Sequence, residues 1–561
     1  MPTSQTPLVE PWLRQHYRVP RADETLFATP PLETAEQFAR DNHELFASHD
    51  PDLQGRSLVK LRRQSRAYAL SAARKYTSEL LQEDLPEQTS EFIVACGHQP
   101  SLFHPGVWVK NFALDALSRR LGGVGLNVVV DNDTLSASSI RVPAGDRQNA
   151  RYQTLPFERH QPTRVWEEAR VLDATLFQTF GSRLVRHMAN WDIEPVVAEL
   201  WPQAEQCLKR TDSLRDCLTA ARSRLEHHWG ATNLELPISH LCVGEPFLWF
   251  ACHLLAHLPR FRNVHNAALQ QYRAAHHIRS RNHPVPELKE TDGWLEAPFW
   301  TWRKGEQRRG RVFAKETGRE IHLSDGNGVF ARLPLGDNRD ACCAVDVLRE
   351  LAAGGVRFRT RALTTTMFSR LFFADLFIHG IGGAKYDQMT DRIISEFYEL
   401  PVPQYLTLSA TLLLPMSQIN NISTSEERRL LTLLRDLDFN SDRHLTAGHN
   451  SEADRLIQDK QALIAEQEAA STQHLTRKER RLRFPDNYLR YQRFQEVDRH
   501  LARLTQEKRL QLENELTGVR MRLEADRVLT DREYSFCLYP AEKLRPFMMR
   551  LSEAPAQDEP A

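Results

Sequence analysis

The chain has 561 residues, of which 41% are hydrophobic, and it carries 73 Lys and Arg against 73 Asp and Glu. This length predicts several structural units rather than one core, and the balanced charge excludes a protein that binds nucleic acid through a global basic excess. The eight cysteines include no Cys-x-x-Cys pair, which argues against a zinc ribbon or a disulfide framework.

Residues 1–90 are predicted to form an N-terminal helical layer. Apolar residues recur at helical spacing between Thr34 and Ser48 and again between Leu58 and Leu81. We expect this layer to pack against the sheet that follows in sequence.

Residues 91–160 are predicted to form the first half of a parallel-sheet core. An apolar run from Phe92 to Cys96 enters a loop rich in glycine and proline and then an amphipathic run from Val107 to Leu117, a pattern typical of strand, loop and helix. The start of such a helix presents unpaired backbone N–H groups and can bind an anion. The candidate binding residues of this loop are Gly97, His98, Gln99, His104 and Lys110. The alternative is a tight turn with surface polar residues.

The next apolar run, Val128 to Val130, ends in two acidic residues, Asp131 and Asp133. A continuous apolar strand is typical of a parallel sheet that is covered on both faces, and such sheets bind ligands at their carboxyl ends. The two carboxylates can hold a metal, orient a hydroxyl or accept a proton from an amine. They can equally end the strand and cap a turn.

Two insertions follow. Residues 161–293 have a mostly helical pattern. Residues 294–340 have strand-like runs divided by glycines, which predict a β-meander. Within it, residues 299–313 combine two tryptophans with several basic residues, a composition that can bind a nucleotide or a nucleic-acid strand by stacking and charge. A solvated hairpin with tryptophan packed beneath it is the alternative.

Residues 341–425 are predicted to form the second half of the core. The apolar run Leu376 to Ile378 enters a second glycine loop, and a helix begins near Ala384. This repeats the first strand, loop and helix, and two such units in one open sheet place two helix N-termini beside one cleft. The candidate binding residues here are Arg370, His379, Gly380, Gly382 and Gly383.

Residues 426–530 are charged and low in glycine, with leucines at mostly helical spacing and a break at 484–486. This pattern predicts an antiparallel coiled-coil hairpin, with an ordinary helical bundle as the alternative. The tail, residues 531–561, is apolar again and is expected to return to the core.

No apolar run has the length of a signal-peptide core or the ~20 residues of a membrane-spanning helix. We therefore expect a soluble, cytoplasmic protein without a membrane or nucleic-acid partner. The fold class expected is α/β, with a Rossmann-like parallel-sheet core, helical and β insertions, and the C-terminal coiled-coil hairpin. No complete metal-ligand set stands out, so no metal site is predicted.

Together these features resemble the bacillithiol cysteine-adding enzyme family (BshC), of which the chain looks like a divergent member. The resemblance follows the order of the segments across most of the chain. The matching motifs are Gly97-His98-Gln99-Pro100-Ser101-Leu102, which resembles a Gly-Gln-Gln loop; Val128 to Asp133, which resembles an apolar strand with an acidic end; and His379-Gly380-Ile381-Gly382-Gly383 with Pro401-Val402-Pro403, which resembles a Gly-Gly-Pro-Gly segment.

The resemblance implies a carbon–nitrogen ligase that joins cysteine to a malyl-glucosamine-type acceptor, and a homodimer formed through the coiled coil. A free carboxylate is a poor electrophile, so activation by a nucleotide is expected, and ATP or ADP is the candidate cofactor. The implied catalytic residues are Asp131 or Asp133, to hold the cysteine ammonium or act as its base, and His98. With His104 and the two helix N-termini, Lys385 would stabilise anionic groups.

The chain departs from the family pattern at three places. His98 stands where a Gln is expected, Ala384-Lys385 replaces a Glu, and Leu408 stands where an Arg is expected. Two other interpretations therefore stay open. One is a transferase that handles a nucleotide or sugar phosphate on the same scaffold, and the other is a non-catalytic metabolite-binding or coiled-coil assembly protein.

Overall fold

A computed structural model describes residues 17–85, 90–161, 163–334, 341–416, 424–445, 451–471, 478 and 487–553. The chain divides into two compact units. The first comprises residues 1–142, 154–415 and 532–561, and the second comprises residues 143–153 and 416–531. Both units are therefore discontinuous in sequence, and residues 532–561 belong with the beginning of the chain.

The strands of the described residues fall into three sheets. In chain order they are β1 (Thr25–Thr29), β2 (Ile93–His98), β3 (Val124–Val129), β4 (Ser139–Ala144), β5 (Arg151–Pro156), β6 (Leu234–Pro237), β7 (Glu290–Thr291), β8 (Trp294–Arg303), β9 (Gly310–Thr317), β10 (Glu320–Ser324), β11 (Val329–Pro334), β12 (Val356–Thr360), β13 (Leu376–His379) and β14 (Tyr405–Thr411).

Eighteen α-helices lie in the part of the chain that the structure describes. They are α1 (Ala35–Ser48), α2 (Leu58–Leu81), α3 (Pro105–Arg120), α4 (Ala174–Gln178), α5 (Phe180–Met188), α6 (Val197–Leu208), α7 (Leu214–Trp229), α8 (Ile238–Leu241), α9 (Glu245–Ala256), α10 (Leu258–Ala275), α11 (Cys342–Ala353), α12 (Ala362–Phe372), α13 (Ile381–Phe397), α14 (Thr424–Phe439), α15 (Ser451–Ser471), α16 (Asn487–Leu504), α17 (Gln506–Leu529) and α18 (Ala541–Glu553). None of these helices combines the length and the apolar composition that crossing a bilayer requires.

The first sheet has the strand order β1-β14-β13-β2-β3-β6. All neighbours pair in parallel except β1, which runs antiparallel to β14 at one edge. The chain continues from β2 through α3 to β3 and from β13 through α13 to β14, so it leaves the adjacent strands β2 and β13 in opposite directions. Open α/β sheets bind ligands at such a reversal, beyond the carboxyl ends of the strands.

The prediction of a mixed α/β chain with a parallel sheet is confirmed. Two strands of the first sheet, β1 and β6, lie in segments that are predicted to be mainly helical. They have five and four residues, which is too short for periodicity to separate a strand from a buried helical turn.

The second sheet is built from strands β8 to β11, each antiparallel to the next, with β12 added beside β8 and β7 paired to β8. Strand β12 follows the segment 294–340, which is predicted as a β-meander. Residues 335–340 of that segment lie outside the described residues. Because α12 starts directly after β12, the second sheet determines the position of the start of α12.

One apolar cluster joins the two sheets. It runs from Ile93 and Leu126 in the first sheet through Phe250 of α9 to Phe299 in the second sheet. Helix α9 carries no charged residue after its first turn and is buried along most of its length, as expected for a helix that is covered on all sides. The two sheets therefore share one core.

A buried carboxylate, Asp375, ties the layers together just before β13. Its oxygens accept hydrogen bonds from Arg62 (2.7 Å) and Arg66 (2.8 Å) of α2 and from the backbone N–H of Ile93 (2.7 Å). The imidazole of His43 on α1 lies 3.2 Å away. Burial favours the neutral acid, but the hydrogen bond from His43 and the two guanidinium charges hold the pKa of Asp375 at about 2.

In the second unit, α14 packs against α17 and α15 against α16. Arg520 pairs with Glu427, and Arg509 with Asp438, so α14 and α17 run antiparallel. Leu430, Leu516 and Val519 form the apolar contact of this pair. The break predicted at 484–486 lies outside the described residues.

Candidate functional site

A cavity of about 710 Å³ lies in the first unit, beyond the carboxyl ends of β2, β3 and β13. Its walls come from the first glycine loop, from the segment after β3, from α10, from β8 and β12 of the second sheet, and from the starts of α12 and α13. The cavity therefore occupies the reversal point of the parallel sheet, where the topology leads us to expect a ligand. Most of the predicted site residues line it: Gly97, His98, Gln99, His104, Lys110, Asp133, His379, Gly380, Gly382 and Gly383.

The first glycine loop is tied to the loop after β3. The side chain of Gln99 donates a hydrogen bond to Asp133 at 2.8 Å. The Nδ1 atom of His98 lies 3.1 Å from the carbonyl oxygen of Gln99. Burial, aided by the nearby Lys110 charge, lowers the pKa of His98 to about 3, so its imidazole is neutral at physiological pH.

The predicted catalytic residue Asp133 is held by several donors. Besides Gln99, it accepts hydrogen bonds from Arg309 (2.8 Å) and from the backbone N–H of Thr134 (2.8 Å). The guanidinium of Arg309 stacks on Trp300 with its carbon 4.4 Å from the ring centroid. With both oxygens engaged, Asp133 is better placed to anchor the cavity wall than to remove a proton.

The basic and aromatic hairpin at residues 299–313 is thus part of the wall of the cavity. A second guanidinium, that of Arg361 at the start of α12, also stacks on Trp300, with its carbon 4.3 Å from the ring centroid. Arg361 is itself paired with the buried carboxylate of Glu296. Trp300, Arg309 and Arg361 all line the cavity, so part of this aromatic and basic surface belongs to the site.

Lys110 brings a positive charge to the cavity. Its ammonium group is almost fully buried and donates to the carbonyl oxygen of Gly97 at 2.9 Å. Among the described residues, no Asp or Glu lies within ion-pairing distance of it. Burial lowers the pKa of Lys110, since an isolated ammonium is poorly solvated there. A bound anion would offset the free-energy cost of burying this charge.

The two predicted helix N-termini differ. Helix α3 is capped, because His104 Nδ1 accepts a hydrogen bond from the N–H of Gly106. A Cβ at Gly106 would stand 2.2 Å from the carbonyl oxygen of Ala410, so glycine is required there. Helix α13 begins after Gly380 without a side-chain cap, and added Cβ atoms at Gly380 and Gly382 would meet open space. The start of α13 is therefore the one that is open to a ligand.

At the end of β13, His379 forms a buried dyad with Asp387 of α13. The distance from His379 Nε2 to Asp387 Oδ2 is 2.9 Å. Asp387 also accepts hydrogen bonds from Thr366 and Arg370 of α12. Although burial favours its neutral form, the charge of Arg370 and the contact with His379 keep the pKa of Asp387 well below its usual range. The charge of Asp387 raises the pKa of His379, but the effect of burial is larger, so this pKa is lowered overall.

Three predicted site residues do not line the cavity. Asp131 is completely buried and accepts hydrogen bonds from Arg215 (2.6 Å) and from the N–H of Ser239 (3.0 Å), so it braces the structure behind the strand end. The buried Arg370 forms ion pairs with Asp387 and Asp391 and thereby supports the dyad. Lys385 is exposed on α13 and lies outside the cavity lining. The structure therefore places Asp131 and Lys385 outside the lining of the cavity.

The residue that the sequence interpretation missed is Asp387. It stands eight positions after His379, and that spacing predicts contact only if the exact start of α13 is known. The threonines 364–366 near the start of α12 also line the cavity. No group of three or more His, Cys, Asp or Glu positioned to hold a metal ion occurs among the described residues.

A scan against protein-family models finds no match for the chain, and a search of the curated proteins finds no similar sequence.

Proposed function

We propose that the chain is an enzyme of the cysteine-adding ligase type, which joins cysteine through a new carbon–nitrogen bond to a malyl-glucosamine-type acceptor. The observation that carries the proposal is the positive cavity: a buried lysine, for which the described residues offer no carboxylate partner, lines the same space as an uncapped helix start. Both features favour a substrate with anionic groups, and the malyl carboxylates of the acceptor have that chemistry.

The size of the cavity supports a two-substrate reaction. Small-molecule sites typically measure about 300–1,000 Å³, and 710 Å³ accommodates a sugar conjugate beside an amino acid. Its walls include apolar side chains such as Phe261, Phe377 and Met367. Such walls exclude water, which strengthens the electrostatic contacts at the polar end.

Amide formation from a free carboxylate needs activation, for which ATP is the candidate co-substrate and ADP the candidate product. When bound, the nucleotide would supply a phosphoryl group that turns the carboxylate oxygen into a leaving group. Lys110 and the backbone N–H groups at the start of α13 would hold an anionic phosphate. Gln99 and Asp133 would position polar groups on the opposite wall.

We further propose that the first sheet is a Rossmann-like core and that the antiparallel helix pairs of the second unit belong to a coiled-coil hairpin through which two copies associate. The parallel strands with a reversal at the cavity support the first point. Exposed apolar residues on these helices, including Tyr488, Leu489 and Leu510, support the second. We place the enzyme in the cytoplasm.

The test combines binding with catalysis. Purified protein is screened by thermal shift against glucosaminyl-malate, cysteine, ATP and ADP, and amide formation is followed by mass spectrometry. A ligand at a hundredfold excess over its Kd adds about 2.7 kcal/mol of stability, so a true substrate raises the Tm measurably. Formation of the cysteinyl amide supports the ligase.

The matched variants are Lys110→Met and Lys75→Met. Lys110→Met keeps most of the unbranched side chain and removes the charge, so it should abolish the shift with glucosaminyl-malate while the protein stays folded. Lys75, which is 78% exposed on the surface of α2, serves as the control and should leave the shift intact. A shift with nucleotide alone would favour the transferase instead, and no shift with any compound would favour the assembly protein.

A further inference from the structure

Four histidines line the cavity, and they differ in what their ring nitrogens contact. The Nδ1 atom of His98 lies against the carbonyl of Gln99, that of His104 caps α3, and that of His265 lies 3.2 Å from the amide oxygen of Asn266. None of these three has a carboxylate partner among the described residues. Only His379 has one.

The partner of His379 fixes which nitrogen carries the proton. Asp387 is ionised because Arg370 lies against the same carboxylate and Thr366 donates to its second oxygen at 2.7 Å. A carboxylate only accepts hydrogen bonds, so the Nε2 atom of His379 must be the donor. The neutral ring then has its lone pair on Nδ1.

The Nδ1 atom of His379 lies close to the start of α13. A Cβ built on Gly383 would stand 3.0 Å from His379 Nδ1, so the absence of a side chain at this position leaves the nitrogen accessible. No hydrogen-bond partner of Nδ1 occurs among the described residues, and both His379 and Gly383 line the cavity. A carboxylate-oriented imidazole with an open second nitrogen is the arrangement of a general base.

We propose that His379 is the general base of this site and accepts, at Nδ1, the proton of the amine that attacks the acyl carbon. This role rests on the proposed ligase function. The nitrogen–carbon bond forms, the bond between the acyl carbon and the oxygen of a phosphate leaving group breaks, and the amine proton moves to Nδ1. The phosphate departs with the electron pair, and the ionised Asp387 stabilises the imidazolium.

Other charged groups surround this imidazole. Lys110 of α3 and Arg370 of α12 disfavour its protonated form, Asp387 favours it, and the phenol of Tyr405 on β14 packs edge-on at 4.9 Å between ring centroids. Burial is the largest influence and lowers the pKa of His379. The base therefore stays neutral at a lower pH than an ordinary histidine would, and turnover should fall only as the pH drops below that point.

The test is His379→Gln, because the glutamine amide can still donate to Asp387 and keeps the buried pair with Arg370 satisfied. We expect kcat/KM for amide formation to fall by about 10²–10⁴-fold, the usual contribution of a general base, with KM and Tm nearly unchanged. The acid limb of the pH profile should disappear, and added imidazole should partly restore turnover in His379→Gly. The control is His253→Gln, which alters a buried imidazole that does not line the cavity.

A wild-type rate in His379→Gln, or an unchanged acid limb, overturns the assignment. If the wild-type protein forms no amide at all, the proposed function fails. The protonation state of the His379 imidazole then tests the assignment of the base. Difference ¹⁵N NMR between wild type and His379→Gln, with labelled histidine, reports that state at pH 7. A neutral ring protonated at Nε2 supports the base, and a ring protonated at Nδ1 overturns it.

Discussion

The carboxylate of Asp375 makes a measurable pH-dependent contribution to folding. Its ordinary pKa of 3.8 falls to about 2 in the folded protein. At about 1.4 kcal/mol per pH unit, this difference is worth about 2.4 kcal/mol of unfolding free energy. Because the folded pKa is the lower one, the contribution is complete well above pH 3.8 and is lost as the pH falls toward 2; by pH 3, about 1 kcal/mol of it has gone.

The measurement is urea denaturation of wild type and Asp375→Asn between pH 6 and pH 3, followed by tryptophan fluorescence. All ten tryptophans fall within the sequence of the first unit, so the signal reports on the unit that contains Asp375. At pH 6 the variant should lose roughly 3–5 kcal/mol, since it leaves Arg62 and Arg66 without their carboxylate. The deficit should shrink by about 1 kcal/mol at pH 3. A deficit that stays constant over this range would refute the reasoning.

Three further substitutions test the site. Gly383→Ala should leave Tm nearly unchanged, because the about 0.5–1 kcal/mol by which alanine favours helix is offset by the close contact of its Cβ with His379 Nδ1. It should reduce turnover by crowding the proposed base, and full activity would contradict this. Gly106→Ala should destabilise by about 1–3 kcal/mol in chemical denaturation, because its Cβ would overlap the carbonyl of Ala410, and a neutral effect would show that α3 can shift. Asp387→Asn should cost about 1–3 kcal/mol, because the buried Arg370 loses one carboxylate but keeps its pair with Asp391, and a Tm equal to wild type would argue against the buried pair.

The two strand, loop and helix segments could be predicted because each joins an apolar strand to a glycine loop, and both strands lie at the centre of the parallel sheet. The positions of individual polar groups could not. Asp131 and Asp133 stand two residues apart, but the first is buried against Arg215 and the second lines the cavity. Which way each carboxylate turns depends on α7 and on the second sheet, elements far away in sequence.

Several contributions to the cavity also come from remote segments. Trp300, Arg309 and the start of α12 are brought in by the second sheet, whose strand β12 pairs with β8 across about fifty residues of sequence. Sequence patterns identify local elements, whereas these contacts depend on how the elements pack. The dyad of His379 and Asp387 is similar, since it requires the exact register of α13 against β13.

Because residues 532–561 belong to the first unit, part of this unit is synthesised after the whole of the second unit. Arg532 lines the cavity and donates to the carbonyl of Ala410 at 2.6 Å, and the N–H of Phe536 bonds to the carbonyl of Phe103 beside the first glycine loop. During translation, the central sheet emerges from the ribosome more than a hundred residues before these partners. The cavity can therefore take its final form only after residues 532–536 have been synthesised, and a chain truncated before residue 532 should lack part of the cavity wall.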